Sequence, residues 1–297
     1  MMTEQQAIEA IIAYRNTTGK KQAEIAKELD ISESKLSQFL AGSYKAPHTV
    51  IPAVEALMKQ QESNALAPKA PGYAETSVSK RVKDAIEYCR LMGKPGIIFG
   101  DAGVGKTMAI EKYCEENPMA ISISINPVFA TISGVNDLLA DKMGIRERNA
   151  RRFFLEAVRR LKGSGRVIII DEAQHLTKKT IEYIRSLSDE AEIGVCYVGN
   201  EEVYRRLNGT GKADFAQIFN RNTVNEQVLL SSIKREDVES IFANSRLDEE
   251  SLDFLYKIAR SIYGIRGAVN IYVAAVGFFG QADVNKLAQA AKKIKIK

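Results

Sequence analysis

The 297-residue chain has no tryptophan, and it has two histidines, three cysteines and seven prolines. With only His48 and His175 present, metal sites and catalytic relays built on histidine are poorly supplied. Cys89, Cys114 and Cys196 are too few and too scattered for a zinc cluster or a disulfide framework, so they read as reduced, structural cysteines. No apolar run approaches the roughly 20 residues that span a bilayer, and no membrane partner is expected. The opening Met1 to Gln6 is polar and includes Glu4, without the charged-then-apolar order of a secretory signal. The expected location is therefore the cytoplasm. One-sign charge is also scarce overall, the net value being +5. That balance permits nucleic-acid binding without arguing for it, so the placement of the charges carries more information.

What is present divides the chain into blocks. Residues 1–62 read as several short helices, and residues 63–77 as a linker holding Pro68, Pro71 and Gly72 among small residues. From Val78 the pattern becomes helices alternating with short apolar runs: Ile97 to Phe99, Ala120 to Ile125, Val167 to Ile170 and Val195 to Val198. Runs without polar alternation suit parallel strands buried on both faces. Residues 78–228 therefore read as a doubly wound α/β core. Residues 229–297 lack such runs and read as a helical subdomain. The closing Lys292 to Lys297 reads as a disordered basic tail.

Gly100-Asp101-Ala102-Gly103-Val104-Gly105-Lys106-Thr107 fits G-x-x-x-x-G-K-[ST], between an apolar run and a helical stretch from Met108 to Glu116. Glycines let successive backbone N–H groups turn inward onto phosphate oxygens, and the helix N-terminus adds favourable partial charge. Gly100 to Met108 are thus the candidate ATP-binding residues. Lys106 is placed to reach the β- and γ-phosphates, and Thr107 to offer its hydroxyl to Mg²⁺.

Val167-Ile168-Ile169-Ile170-Asp171-Glu172 is a buried-type strand ending in two acids. Asp171 is placed to hold Mg²⁺ and Glu172 to polarise a water for attack on the γ-phosphate. Two acids at a strand end also cap helices. Their pairing with the upstream loop favours hydrolysis over passive nucleotide binding.

From Val78 to Phe279 these motifs resemble the AAA+ ATPase superfamily. The resemblance implies a P-loop α/β core with a C-terminal helical lid. It also implies a polar sensor at the end of the strand after the acid pair, which Asn200 in Tyr197-Val198-Gly199-Asn200 matches. Asn in such a turn also serves simply as a cap. An arginine supplied to a neighbouring subunit's ATP is implied as well. Phe215 to Arg221 resembles that segment, making Arg221 the candidate, with Arg205 and Arg206 nearby. Arg266, in Gly264 to Ala268, is the candidate nucleotide contact from the lid; where the family would carry an arginine two residues after Gly267-Ala268 this chain has Asn270.

Residues Lys21 to Gly42 look like a small all-α helix-turn-helix, with Ala23 and Ala26 at the helix contact, Leu36 and Leu40 inward and Ser32 as N-cap. Its second helix would present Ser34, Lys35 and Gln38 to a DNA major groove, with Lys20, Lys21, Tyr44 and Lys45 flanking. The same fold also serves protein contacts. Within the core, Arg146, Arg148, Arg151, Arg152, Arg159, Arg160, Lys162 and Arg166 face only Glu147 and Glu156, and Lys178 and Lys179 follow the acid pair. A mostly arginine, one-sign cluster suits phosphate contact, although exposed helices also carry such residues in local ion pairs. Arg146, Arg148, Arg151, Arg152, Lys178 and Lys179 are the candidate DNA contacts here.

The combination of helix-turn-helix, linker, compact AAA+ core and short lid is similar to the Mu B-like family of phage transposition ATPases. Ile169 to Leu176 and Phe215 to Arg221 carry that likeness. It implies ATP-dependent, largely sequence-nonspecific binding to duplex DNA and a ring or helical filament of identical subunits. It also implies a DDE transposase as partner, in a bacterial or phage-infected cell. A replication initiator or helicase loader, and a regulator switched by ATP, share enough of these features to remain alternatives.

Overall fold

The computed structural model describes residues 2–66, 68–208 and 224–296. The chain forms two compact units, Met1–Lys69 and Ala70–Lys297.

The first unit is helical: α1 (Glu4–Thr18), α2 (Gln22–Glu28), α3 (Glu33–Leu40) and α4 (Ile51–Leu66). Its core gathers Ala7, Ile11, Ile25, Ala26, Leu36, Phe39, Val50 and Val54. Ser32 caps α3, its hydroxyl accepting the Lys35 N–H at 3.3 Å. Three details differ from the sequence reading. Ala23 is exposed, Phe39 is fully buried while Leu40 is only half-buried, and α4 runs to Leu66. A boundary at residue 62 therefore falls inside a helix. Val54 and Leu57 of α4 join the core of the unit.

The second unit opens with α5 (Ser77–Met92), followed by β1 (Pro95–Gly100), α6 (Lys106–Glu116), β2 (Ala120–Ser124), α7 (Ile132–Met143) and α8 (Ala150–Leu161). Next come β3 (Val167–Asp171), α9 (Lys178–Ala191), β4 (Gly194–Gly199), α10 (Glu201–Asn208) and β5 (Val224–Val228). The lid helices are α11 (Arg235–Phe242), α12 (Glu249–Ala259), α13 (Gly264–Phe279) and α14 (Val284–Lys293). All strand pairs are parallel, in the order β2-β3-β4-β1-β5.

The apolar runs serve both faces of the sheet. Ile98, Val167, Ile169, Cys196 and Val198 pack toward α5, α6 and the lid. Ile97, Phe99, Ile168, Ile170, Val195 and Tyr197 pack toward α7, α8, α9 and α10. This is the packing expected where successive side chains of a strand point to opposite faces and helices cover both. β5 escaped the sequence reading. Its Val224-Asn225-Glu226-Gln227-Val228 alternates between half-buried and exposed, as an edge strand does.

The C-terminal basic stretch is not a loose tail. α14 includes Lys292 and Lys293. The next turn closes with Ile296 N–H donating to Ala291 O at 2.9 Å, while Ile294 and Ile296 rest on the core. The alternating Ile residues, not the lysines, decide the placement.

Candidate active site

Because the strands are parallel, their carboxyl ends share one edge, the usual ligand edge of such sheets. β4 pairs with both β1 and β3. The end of β4 therefore lies between the loop after β1 and the acids after β3.

The loop after β1 is tied to the end of β5. Asp101 N–H donates to Val228 O at 3.0 Å. Gly100 has φ +140°, and a methyl there would overlap the Val228 carbonyl. Glycine is thus required by both conformation and space. The Asp101 carboxylate accepts from Leu230 N–H at 2.7 Å. Its side chain therefore anchors the lid connection, and only its backbone remains for a nucleotide. Val104 is fully buried under the loop. Gly105 precedes α6, whose first turn carries Lys106, Thr107 and the half-exposed Met108.

Lys106 Nζ curls back to donate to Gly100 O at 3.1 Å and Asp101 O at 2.7 Å. Burial lowers its pKa, opposed by the charges of Asp171, Glu172 and Asp101, while Arg266 reinforces the lowering. Arg266 N–H also donates to Gly103 O at 3.3 Å, so α13 of the lid begins against the phosphate loop. The predicted lid contact is therefore brought to the site.

Thr107 Oγ1 donates to Asp171 Oδ2 at 2.8 Å. Burial raises the Asp171 pKa, countered by the Thr107 hydroxyl and the Glu172 N–H. A hydroxyl and a buried carboxylate in contact form a hard-oxygen pair that fits Mg²⁺. Among the described residues no group of three His, Cys, Asp or Glu side chains gathers as a metal cage, so a cation here would draw further ligands from phosphate oxygens and water. Glu172 is exposed and has φ +55° and ψ +36°, a left-handed conformation uncommon for a side chain of this size.

Asn200 follows β4. Its side-chain oxygen accepts the Glu202 N–H at 2.9 Å and so caps α10. Position and cap are compatible, since the cap uses only the oxygen. Arg221 lies outside the described residues. Of the two nearby arginines, both exposed, Arg206 is held by Glu202 and by Leu176 O, whereas Arg205 takes part in no ion pair found among the described residues.

The candidate DNA residues fall in two places. In the first unit Ser34 and Gln38 are exposed on α3, but Lys35 is half-buried, its ammonium 5.2 Å from the centre of the Tyr44 ring. Lys20, a suggested flanking contact, is engaged by Glu28 and Tyr14. In the second unit Arg146, Arg148, Arg151 and Arg152 are exposed, with no carboxylate partner in the ion pairs found among the described residues. Arg159 and Arg160 are different: both pair with Glu156. Lys178 and Lys179 are exposed on the first turn of α9. The Phe154 and Tyr183 rings meet at 5.6 Å, and Tyr183 Oη donates to Asn136 at 2.7 Å. Since these residues sit early in α8, α9 and α7, the starts of the three helices share one end of the unit. Arg151, Arg152, Lys178 and Lys179 are therefore presented at the end where β3 delivers Asp171.

Sequence reasoning passed over Gln174, which is buried and bonded to Glu172. No signal in the local sequence marks it, since Glu172 and His175 in the same turn are polar as well.

Comparison with known proteins agrees with this geometry. Residues 92–207 match the family model described as AAA domain. The Mu-like prophage FluMu DNA transposition protein B of Haemophilus influenzae is 28% identical over 267 residues, covering 86% of this chain and 91% of that protein. The ATP-dependent target DNA activator B of Escherichia phage Mu is 27% identical, covering 87% of this chain and 83% of its own length. Its counterpart in Escherichia phage D108 is 26% identical over the same shares. Among solved structures, domain III of the Thermotoga maritima replication initiation protein DnaA aligns with 77% of this chain and 95% of its own, at 18% identity and a TM-score of 0.48. Residues 92–207 are thus similar to the AAA domain, and over most of its length the chain is related to the transposition B proteins of Mu-like phages.

Proposed function

We propose that this protein is an ATP-hydrolysing, largely sequence-nonspecific DNA-binding protein. In this reading it assembles on target duplex DNA in the cytoplasm of a bacterial or phage-infected cell, and it delivers that DNA to a DDE transposase and activates it. The observation that carries the reading is the meeting of Thr107 and Asp171 at 2.8 Å, which brings together their chain neighbours Lys106 and Glu172. The likeness to the ATP-dependent target DNA activator B of phage Mu supports the biological setting.

The backbone of Gly100 to Thr107 holds the phosphates, and Lys106 exchanges its two carbonyl partners for β- and γ-phosphate oxygens. Thr107 and Asp171 hold Mg²⁺. Mg²⁺ bound with ATP neutralises phosphate charge. Glu172 orients and deprotonates the attacking water, Asn200 positions it, and Arg266 contacts the nucleotide from the lid. A neighbouring subunit supplies an arginine, Arg221 or the exposed Arg205, so that hydrolysis depends on assembly. Arg146, Arg148, Arg151, Arg152, Lys178 and Lys179 follow the DNA backbone, with Ser34, Lys35 and Gln38 of the first unit, read as a helix-turn-helix, adding contacts.

Electron microscopy of the protein with ATP, Mg²⁺ and random-sequence duplex DNA tests this directly. Regular rings or filaments are expected with ATP and none without nucleotide. Glu172→Gln should keep the assemblies while lowering turnover by about 100-fold or more. Discrete particles at one sequence would instead favour a replication initiator or helicase loader. Assembly without any turnover in the unmodified protein would favour an ATP-switched regulator.

A further inference from the structure

The turn after β3 holds Gln174, only 8% exposed. Its amide nitrogen donates to Glu172 Oε2. A carboxylate accepts but does not donate, so the nitrogen must face it and the amide oxygen must point inward. That oxygen is buried, and no donor among the described residues reaches it. It abuts Gly199 at the end of β4, where a methyl would overlap both the oxygen and Val203 Cγ2. The surroundings are apolar, with Ala173, Leu176, Val203 and Leu207 in the same core cluster. An apolar side chain would suit such a pocket better than an amide with one half unsatisfied. Glu172 meanwhile sits in a left-handed conformation that its surroundings must hold.

We propose that Gln174 is a positioning residue. It holds the Glu172 carboxylate through its amide nitrogen and is itself held against Gly199, so that a displacement at the end of β4, next to Asn200, is passed to Glu172. The proposal rests on Glu172 being the group that activates water. Gly199 is part of it, because only glycine leaves room for the amide at this point.

The test measures ATP turnover of the full chain with Mg²⁺ and random-sequence duplex DNA. Gln174→Ala should lower kcat about 10-fold, the usual scale for a residue that orients a functional group, with KM for ATP unchanged. Gln174→Met keeps the bulk, removes the amide and should show the same loss. Gly199→Ala should reproduce it by displacing Gln174. In a Glu172→Gln background, Gln174→Ala should cost nothing further, since both changes remove one function. If Glu172→Gln stalls turnover while Gln174→Ala and Gln174→Met both keep normal kcat, the positioning role is overturned and the Glu172 assignment survives. Equal, additive losses in both backgrounds would also overturn it, by making Gln174 a structural residue only. Normal turnover of Glu172→Gln would overturn the Glu172 assignment, and with it this proposal.

Discussion

At the scale of single residues, the site stores unfavourable terms. Asp171 is a buried carboxylate whose pKa is raised by desolvation. The folded chain therefore holds its proton more tightly than the unfolded chain does. The contribution of this group to stability is fully present below the ordinary carboxylate value of 3.8 and is lost as pH rises through the raised folded value. The ionised form is the one that burial disfavours. Asp171→Asn should accordingly raise the melting temperature of the nucleotide-free protein at pH 7, with the gain vanishing in acid, while Mg²⁺-dependent turnover collapses. A lower melting temperature at pH 7 would mean that the hydrogen bonds from Thr107 and Glu172 outweigh the burial cost. The loop and acid motifs were legible because their spacing is local. Gln174 was not, because its role comes from contact with Gly199, which is remote in sequence.

At the scale of elements, helix starts followed their polar caps. Thr76, Thr131, Asn149, Thr177, Asp248 and Asp283 each accept a backbone N–H in the first turn of α5, α7, α8, α9, α12 and α14. Strands were legible where burial on both faces made them apolar, and β5 was missed because it lies at the edge. The tie between α5 and α6 shows a contact that pattern alone does not reveal. Tyr113 Oη donates to Glu87 at 2.5 Å, and Arg90 binds the same carboxylate. Arg90 chiefly, with Tyr113, lowers the Glu87 pKa from 4.5 to about 2. Its contribution is complete above 4.5 and is lost as pH falls through about 2. The melting temperature of Glu87→Gln should therefore decline less steeply than that of the unmodified protein as pH is lowered below 4.5. Parallel declines would show that solvent screens this half-exposed tie to insignificance.

At the scale of the whole molecule, the lid is coupled to the nucleotide loop at two points. Asp101 holds Leu230 and Gly103 receives Arg266, while buried Asp237 ties the lid to α5 instead, accepting from Ser77 N–H at 2.6 Å and Ser77 Oγ at 2.7 Å. A change in the backbone of the loop would therefore reach the lid through these two hydrogen bonds. The helical first unit has a core of its own, so the charges of each unit can be tested separately. Replacing Arg151 and Arg152 with alanine should make the plot of log affinity against log salt shallower by about 2 if each meets a phosphate. ATP binding should persist, since neither arginine touches the loop. An unchanged slope would remove this cluster from the DNA path.

The sequence alone determined the glycine-rich loop after β1, the acid pair, the alternation of helices with buried strands and the presence of a separate helical N-terminal unit. Each is written in residues close together along the chain, where steric and hydrogen-bonding rules act locally. Only the tertiary structure decided which cations are paired, as Lys20, Arg159 and Arg160 are, and which stand without a carboxylate, as Arg151 and Arg152 do. It also decided that the lysine-rich end folds back on its isoleucines, and that Gln174 reaches both Glu172 and Gly199. Those outcomes depend on which distant groups share a desolvated space, and adjacency in sequence does not specify that.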